Sequence, residues 1–218
     1  MSLKEKLAAL KIEAETKLLP AHAVEILHRA TNELIASGAQ ERVLKIGDTA
    51  PSFKAFDSDG NLVSSEILLE KGPIVLTFYR GVWCPYCNLD LQALEETRAE
   101  FESKGATLIA VSQQTAANSR KSQRTNNLGF PILSDVGGEI ADSFKVRWNL
   151  PDYLIEVHKE LGADLSVFNG ENSWTLPMPA RYVIGKDGII AYAEVNADYT
   201  TRPEPSEVLP VLETLLVN

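Results

Sequence analysis

The chain holds only two cysteines, and they stand three apart as Cys84-Pro85-Tyr86-Cys87. Thiols at this spacing can pair locally, supply half of a metal site, or simply pack as small apolar side chains. A disulfide that serves stability closes a long loop, and a C-x-x-C closes almost none. A structural zinc site takes four ligands, yet His22, His28 and His158 lie far from the pair and show no second paired spacing. A redox dithiol is the reading that survives, with no metal and no other cofactor implied.

The elements around the pair give it chemistry. Pro73 to Tyr79 is nearly all apolar and of strand length, as a strand buried on both faces should be. From Pro85 the pattern turns helical, with Leu91, Leu94, Arg98 and Phe101 recurring until Gly105. Cys84 therefore falls at the helix N-cap, with Pro85 at the first helical position, where a missing N–H costs nothing. Free amides and aligned peptide dipoles at that end stabilise an anion, so the Cys84 thiol should ionise below its free value of about 8.5. Cys87 follows nearly one turn later on the same side and is expected to be the more buried of the two. Cys84 then attacks, and Cys87 resolves the mixed disulfide or sulfenic acid that results. Trp83 and Tyr86 flank the pair, either as a substrate-docking surface or as packing.

The rest of the chain reads as one α/β domain. A second apolar strand, Ala106–Ser112, completes a right-handed βαβ unit with parallel strands. Two short strands flank the turn at Asp57–Asn61, and short helices fit Ser64–Glu70, Thr115–Arg124, Gly138–Phe144 and Pro151–Leu161. Phe130–Leu133 reads as a short strand and 162–178 as a loop. Arg181–Ile184 and Ile189–Ala193 form a hairpin across Gly185–Gly188, and a closing helix runs to Val217. Ahead of this domain, residues 2–18 and 21–37 carry helical stripes, Leu3, Leu7, Leu10, Ala14 and Leu18 in the first. The chain divides into a helical extension, 1–44, and a domain, 45–218. The extension caps the core or pairs two copies as a homodimer.

Composition narrows the partners. With 44% hydrophobic and 23% charged residues the chain is an ordinary soluble type. Its net charge of −9 argues against nucleic acid, which needs clustered Lys and Arg. No apolar run of about 18 residues crosses a membrane. The opening Met-Ser-Leu-Lys-Glu-Lys has no apolar signal core, so a cytoplasmic location is expected. His158, beside Lys159 and Glu160, reads as solvated. So do Arg120, Lys121 and Arg124, while Asn196–Pro205 reads as a loop whose side chains bind one another.

The run Phe78-Tyr79-Arg80-Gly81-Val82-Trp83-Cys84-Pro85-Tyr86-Cys87, the order of elements and the late hairpin preceded by Pro179 resemble the peroxiredoxin-like branch of the alkyl hydroperoxide reductase/thiol-specific antioxidant family. The likeness spans about residues 45–217. It implies a thioredoxin-like fold, a central mixed sheet with helices on both faces. It also implies reduction of hydrogen peroxide or organic hydroperoxides by Cys84, with a thioredoxin- or glutathione-type electron donor. Pro179 matches the cis-proline that faces the C-x-x-C in thioredoxin-like proteins. The family's P-x-x-x-[T/S]-x-x-C would place proline and a hydroxyl at 77 and 81, where this chain has Thr77 and Gly81. The family's peroxide-holding arginine aligns with Pro179, so Arg181, two residues on, and Arg80 are the candidate cations. Two other readings stay open: a general thiol–disulfide oxidoreductase acting on disulfide substrates, and a non-enzymatic redox-sensing dimer module.

Overall fold

The structure, a computed structural model, describes residues 1–216. Helix α1 (Leu3–Glu13) opens on a capping box: Ser2 accepts from the Glu5 amide, and the Glu5 carboxylate accepts from the Ser2 amide at 2.8 Å. It runs into a π turn, Ala14–Leu18. Pro20 then precedes α2 (Ala21–Ala36), which stops before Gly38, whose φ of +66° suits a residue without Cβ. A hairpin follows, β1 (Lys54–Phe56) and β2 (Leu62–Ser64), and then α3 (Ser65–Lys71).

The core βαβ unit is β3 (Ile74–Phe78), α4 (Pro85–Ser103) and β4 (Thr107–Ser112). Beyond it come α5 (Ala116–Asn126), β5 (Ile132–Ser134), α6 (Glu139–Ser143), β6 (Arg147–Asn149), α7 (Asp152–Glu160), α8 (Leu165–Asn169) and β7 (Thr175–Pro177). The hairpin β8 (Ala180–Ile184) and β9 (Ile190–Val195) leads to α9 (Leu209–Leu216). The end of the closing helix, expected at Val217, lies outside the described residues.

The central sheet has the order β5-β4-β3-β8-β9, parallel on one side of β3 and antiparallel on the other. Strand periodicity divides β3 between two cores. Val75 and the following Tyr79 pack with Leu91, Leu94 and Phe101 of α4 and with Leu3 and Leu7 of α1. Ile74, Leu76 and Phe78 face Phe53, Ile140 and Phe144. Helices thus lie on both faces, as the resemblance implied. The N-terminal helices pack onto this body: α1 lies on α4, α2 on α7, and the Glu204 carboxylate accepts from the Leu3 and Lys4 amides at 3.2 and 2.8 Å. An acidic group at that helix start also complements the dipole.

Two expectations change. Residues 162–178 are not a plain loop. Asp164 caps α8, and β7 pairs with β6 at Trp148↔Leu176. Strands of three residues whose partners lie far along the chain leave no alternation to read. Pro179 is not a cis-proline, because no peptide bond among the described residues is cis. The chain is held on either side of it, where Met178 N donates to Val146 O and Asn196 N to Pro179 O, so it passes from β7 into β8 without a cis turn.

Candidate active site

Past the end of β3 the chain turns tightly into α4, and the Cys84 amide donates to Gly81 O at 3.1 Å to close the turn. Gly81 has a φ of +155°, and a Cβ there would lie 2.5 Å from the Trp83 indole nitrogen. A side chain at position 81 would therefore collide with Trp83 as it stands here. Gln114 fastens the turn from behind. Its Oε1 accepts from Val82 N at 3.0 Å, and its Nε2 donates to Tyr79 Oη and Ser122 Oγ.

Cys84 caps α4 and Pro85 occupies the first helical position, as the spacing predicted. Both cysteines are free thiols and both are buried, Cys84 at 1% and Cys87 at 0% exposure. The expected contrast in exposure is therefore nearly absent. What separates them is access, since Cys84 borders an open cavity that Cys87 does not reach.

Burial by itself would push the Cys84 thiol up. The hydrogen bond from the Cys87 thiol, the charges of Arg80 and Arg202 and the Cys87 amide overcome it and bring Cys84 to about 6. Cys87 moves the other way. Burial, the hydrogen bond it gives Cys84 and the charge on Cys84 hold its thiol well above the ordinary range, against the pull of Arg202 and Arg80. One thiolate and one thiol, side by side, is the arrangement that a nucleophile and its resolving partner need.

Of the two candidate arginines, Arg80 stands at the site. Its guanidinium lies 4.1 Å from the Tyr199 ring centroid and 4.8 Å from that of Trp83. It also meets His158 Nε2 at 3.3 Å. Arg181 bonds the Asp90 carboxylate and Pro203 O, touching neither sulfur. Asp90 in turn faces the Arg202 Nε at 3.5 Å, and Arg202 Nη2 donates to Cys87 Sγ at 3.1 Å. Arg181 thus anchors the carboxylate that steadies Arg202. Thr77 only ties strands together, its hydroxyl donating to Ala180 O. Pro179 borders the small cleft that Asp90, Arg181 and Arg202 share. Trp83 and Tyr86 line the Cys84 cavity, Tyr86 meeting Tyr199 edge to face at 5.6 Å.

Several partners were not read from the sequence. His158 is not solvated but 3% exposed, edge to face with Trp83 at 5.2 Å, and burial with the Arg80 charge pushes it down to about 3. The loop 196–205 does not only bind itself, because it delivers Tyr199 and Arg202 to the cysteines. Arg120 is tied to Ser58 O and Asp59 instead of standing free. One signal was legible for Asp90: an aspartate one turn after Cys87, on the buried face of α4, requires a cation. Among the described residues, no group of three or more His, Cys, Asp and Glu is arranged to hold a metal ion.

The family model that matches this chain is described as the AhpC/TSA family, and it covers residues 46–193. Among curated relatives, the chloroplastic peroxiredoxin Q of Oryza sativa subsp. japonica is 26% identical over 204 residues, 94% of this chain and 81% of that protein. The thiol-disulfide oxidoreductase ResA of Bacillus cereus is 25% identical over 187 residues, 80% of this chain and 90% of that one. Among solved structures, the peroxidoxin BcpB of Mycobacterium tuberculosis superposes with a TM-score of 0.62 at 22% identity, over 80% of this chain and 97% of that one. It shares the fold. The matched segment carries both cysteines, Arg80, Asp90 and Arg181, and on that match the chain belongs to the AhpC/TSA family.

Proposed function

We propose that the protein is a thiol-dependent peroxidase, an oxidoreductase in which Cys84 is the nucleophile and Cys87 the resolving thiol. The observation that carries this reading is a helix-capping Cys84 brought to about 6, touching a Cys87 thiol that stays protonated. The Cys84 thiolate attacks one oxygen of a hydroperoxide ROOH. An S–O bond forms, the O–O bond breaks, and the alkoxide RO⁻ leaves and takes a proton from water. Cys84 is now a sulfenic acid. The Cys87 sulfur then bonds to the Cys84 sulfur, and the hydroxyl leaves with the Cys87 proton as water. A dithiol donor of thioredoxin or glutathione type restores both thiols by exchange and is itself oxidised. That last step fits a reducing compartment such as the cytoplasm, where such donors are held reduced. Arg80 and Arg202 hold the thiolate, Arg181 and Asp90 hold Arg202, and Trp83 and Tyr86 wall the approach.

The relatives support this reading through peroxiredoxin Q, and the ResA likeness favours thiol–disulfide exchange as the second one. Burial separates them. A sulfur 1% exposed at the floor of a cavity admits a small peroxide more readily than a folded partner's disulfide. Stopped-flow tryptophan fluorescence of the reduced protein mixed with hydrogen peroxide and an organic hydroperoxide tests the choice. Oxidation far faster than that of free cysteine, lost in Cys84→Ser and ending as a trapped sulfenic acid in Cys87→Ser, is the expected result. A rate no better than free cysteine, with brisk exchange against a protein disulfide, would leave the oxidoreductase instead.

A further inference from the structure

The cavity over Cys84 takes one wall from a part of the chain outside the family match. Leu10, Ala14, Leu18, Leu19 and Leu27, all from the first two helices and the turn between them, supply one wall. The family-matched segment supplies the other wall and the floor, where Cys84 stands with Arg80 and His158. The cavity is about 250 Å³. That is room for about eight water-sized groups, just below the range of drug-sized sites. Hydrogen peroxide fills a small fraction of it, and the leucine wall offers that molecule no hydrogen bond. A compact apolar body of about ten non-hydrogen atoms would displace water from the whole wall.

Its openness is also specific. Leu18 lines the cavity and is 64% exposed, an apolar side chain left in water beside a buried sulfur. Helix α1 is itself fixed in place by its packing on α4 and by the Glu204 cap, so the wall is a standing feature of the fold. A hydroperoxide whose apolar body lies against the leucines presents its O–O group to Cys84, with Arg80 positioned for the alkoxide that leaves.

We infer that the first two helices select the substrate: the chamber they form takes alkyl or aryl hydroperoxides with a compact apolar body in preference to hydrogen peroxide. This rests on the peroxidase reading, and the test keeps the two apart. The rate constants of the full chain would be measured for cumene hydroperoxide and hydrogen peroxide. Binding of cumyl alcohol, the unreactive product, would be followed separately by tryptophan fluorescence in Cys84→Ser. The expected ratio of the two rate constants exceeds about tenfold in favour of the aryl compound, on the scale of a filled apolar subsite. Leu18→Glu, a change at an exposed position, should reduce that ratio about tenfold and weaken alcohol binding alike. Ile12→Glu, equally exposed on α1 but outside the chamber, should leave ratio and binding unchanged. Equal rates for the two peroxides, or a ratio untouched by Leu18→Glu, would overturn the selection. Alcohol binding lost in Leu18→Glu, with neither peroxide reacting faster than with free cysteine, would overturn the peroxidase reading and the substrate assignment with it. Absence of alcohol binding beside a fast reaction would overturn the chamber alone.

Discussion

Arg202 Nη2 donates to the sulfur of Cys87 at 3.1 Å, although 115 residues separate them. The contact ties the loop after the last strand to the first turn of α4. It also places a positive charge, on a side chain 3% exposed, next to two sulfurs that share one proton. In such surroundings the cation is screened little by water, so it acts strongly on both thiols.

Removing that charge should raise the pH at which Cys84 ionises. Arg202→Met is expected to move the first thiolate, read by absorbance near 240 nm, upward from about 6, and Arg202→Lys to restore part of the difference. If the new value lies above the assay pH, peroxide reactivity falls by about tenfold for each further pH unit. A first titration unchanged in Arg202→Met would mean that Arg80 and the Cys87 hydrogen bond suffice.

Arg80 should resist conservative exchange. Its planar guanidinium sits over Tyr199 and Trp83 while meeting His158, and an ammonium cannot reproduce that stacking. Arg80→Lys is expected to lose most of the reactivity that Arg80→Met loses. In Arg80→Met, NMR titration should find His158 above its present value of about 3, because one of the two causes holding it down has gone.

Restoring the family's hydroxyl should not improve the enzyme. Gly81→Thr and Gly81→Ala both put a Cβ 2.5 Å from the Trp83 indole on a backbone of φ +155°. Each should cost about 2–4 kcal/mol in urea unfolding, from overpacking and backbone strain together. A Gly81→Thr protein of full stability and higher peroxide rate would show that Trp83 yields its place freely.

Stability of the reduced protein should rise with pH between about 6 and 8.5. The folded Cys84 ionises near 6 and the unfolded thiol near 8.5, so the stabilisation is complete above the latter and is lost as pH falls through the former. His158, pushed down to about 3, adds the same sign at lower pH, and Asp135, pushed up to about 6 by burial, acts mainly below that window. Above 8.5 Cys87 reverses the trend, because the unfolded chain releases a proton that the folded one keeps. Thermal unfolding between pH 6.5 and 8.5 should therefore show a rise in Tm that Cys84→Ser lacks. Parallel curves for the two proteins would remove Cys84 as the cause.

What the sequence determined by itself was local. The apolar run at 73–79, Pro85 after Cys84 and the helical recurrence of Leu91, Leu94 and Phe101 specify strand, cap and helix, and with them an anion-stabilising position for one thiol. These are near-neighbour constraints, written in residues a few positions apart. The tertiary structure decided which charges face that thiol. Arg80 was visible as a candidate and Arg181 took a supporting place, but Arg202, Tyr199 and His158 reach the site through loop paths and burial that no spacing encodes. The leucines of the first helix were legible as a stripe. Only packing shows that Leu3 and Leu7 enter the core while Leu10 and Leu18 border the opening over Cys84. The physical reason is that a stripe records which face is apolar, whereas its partner is set by long-range packing of the whole chain.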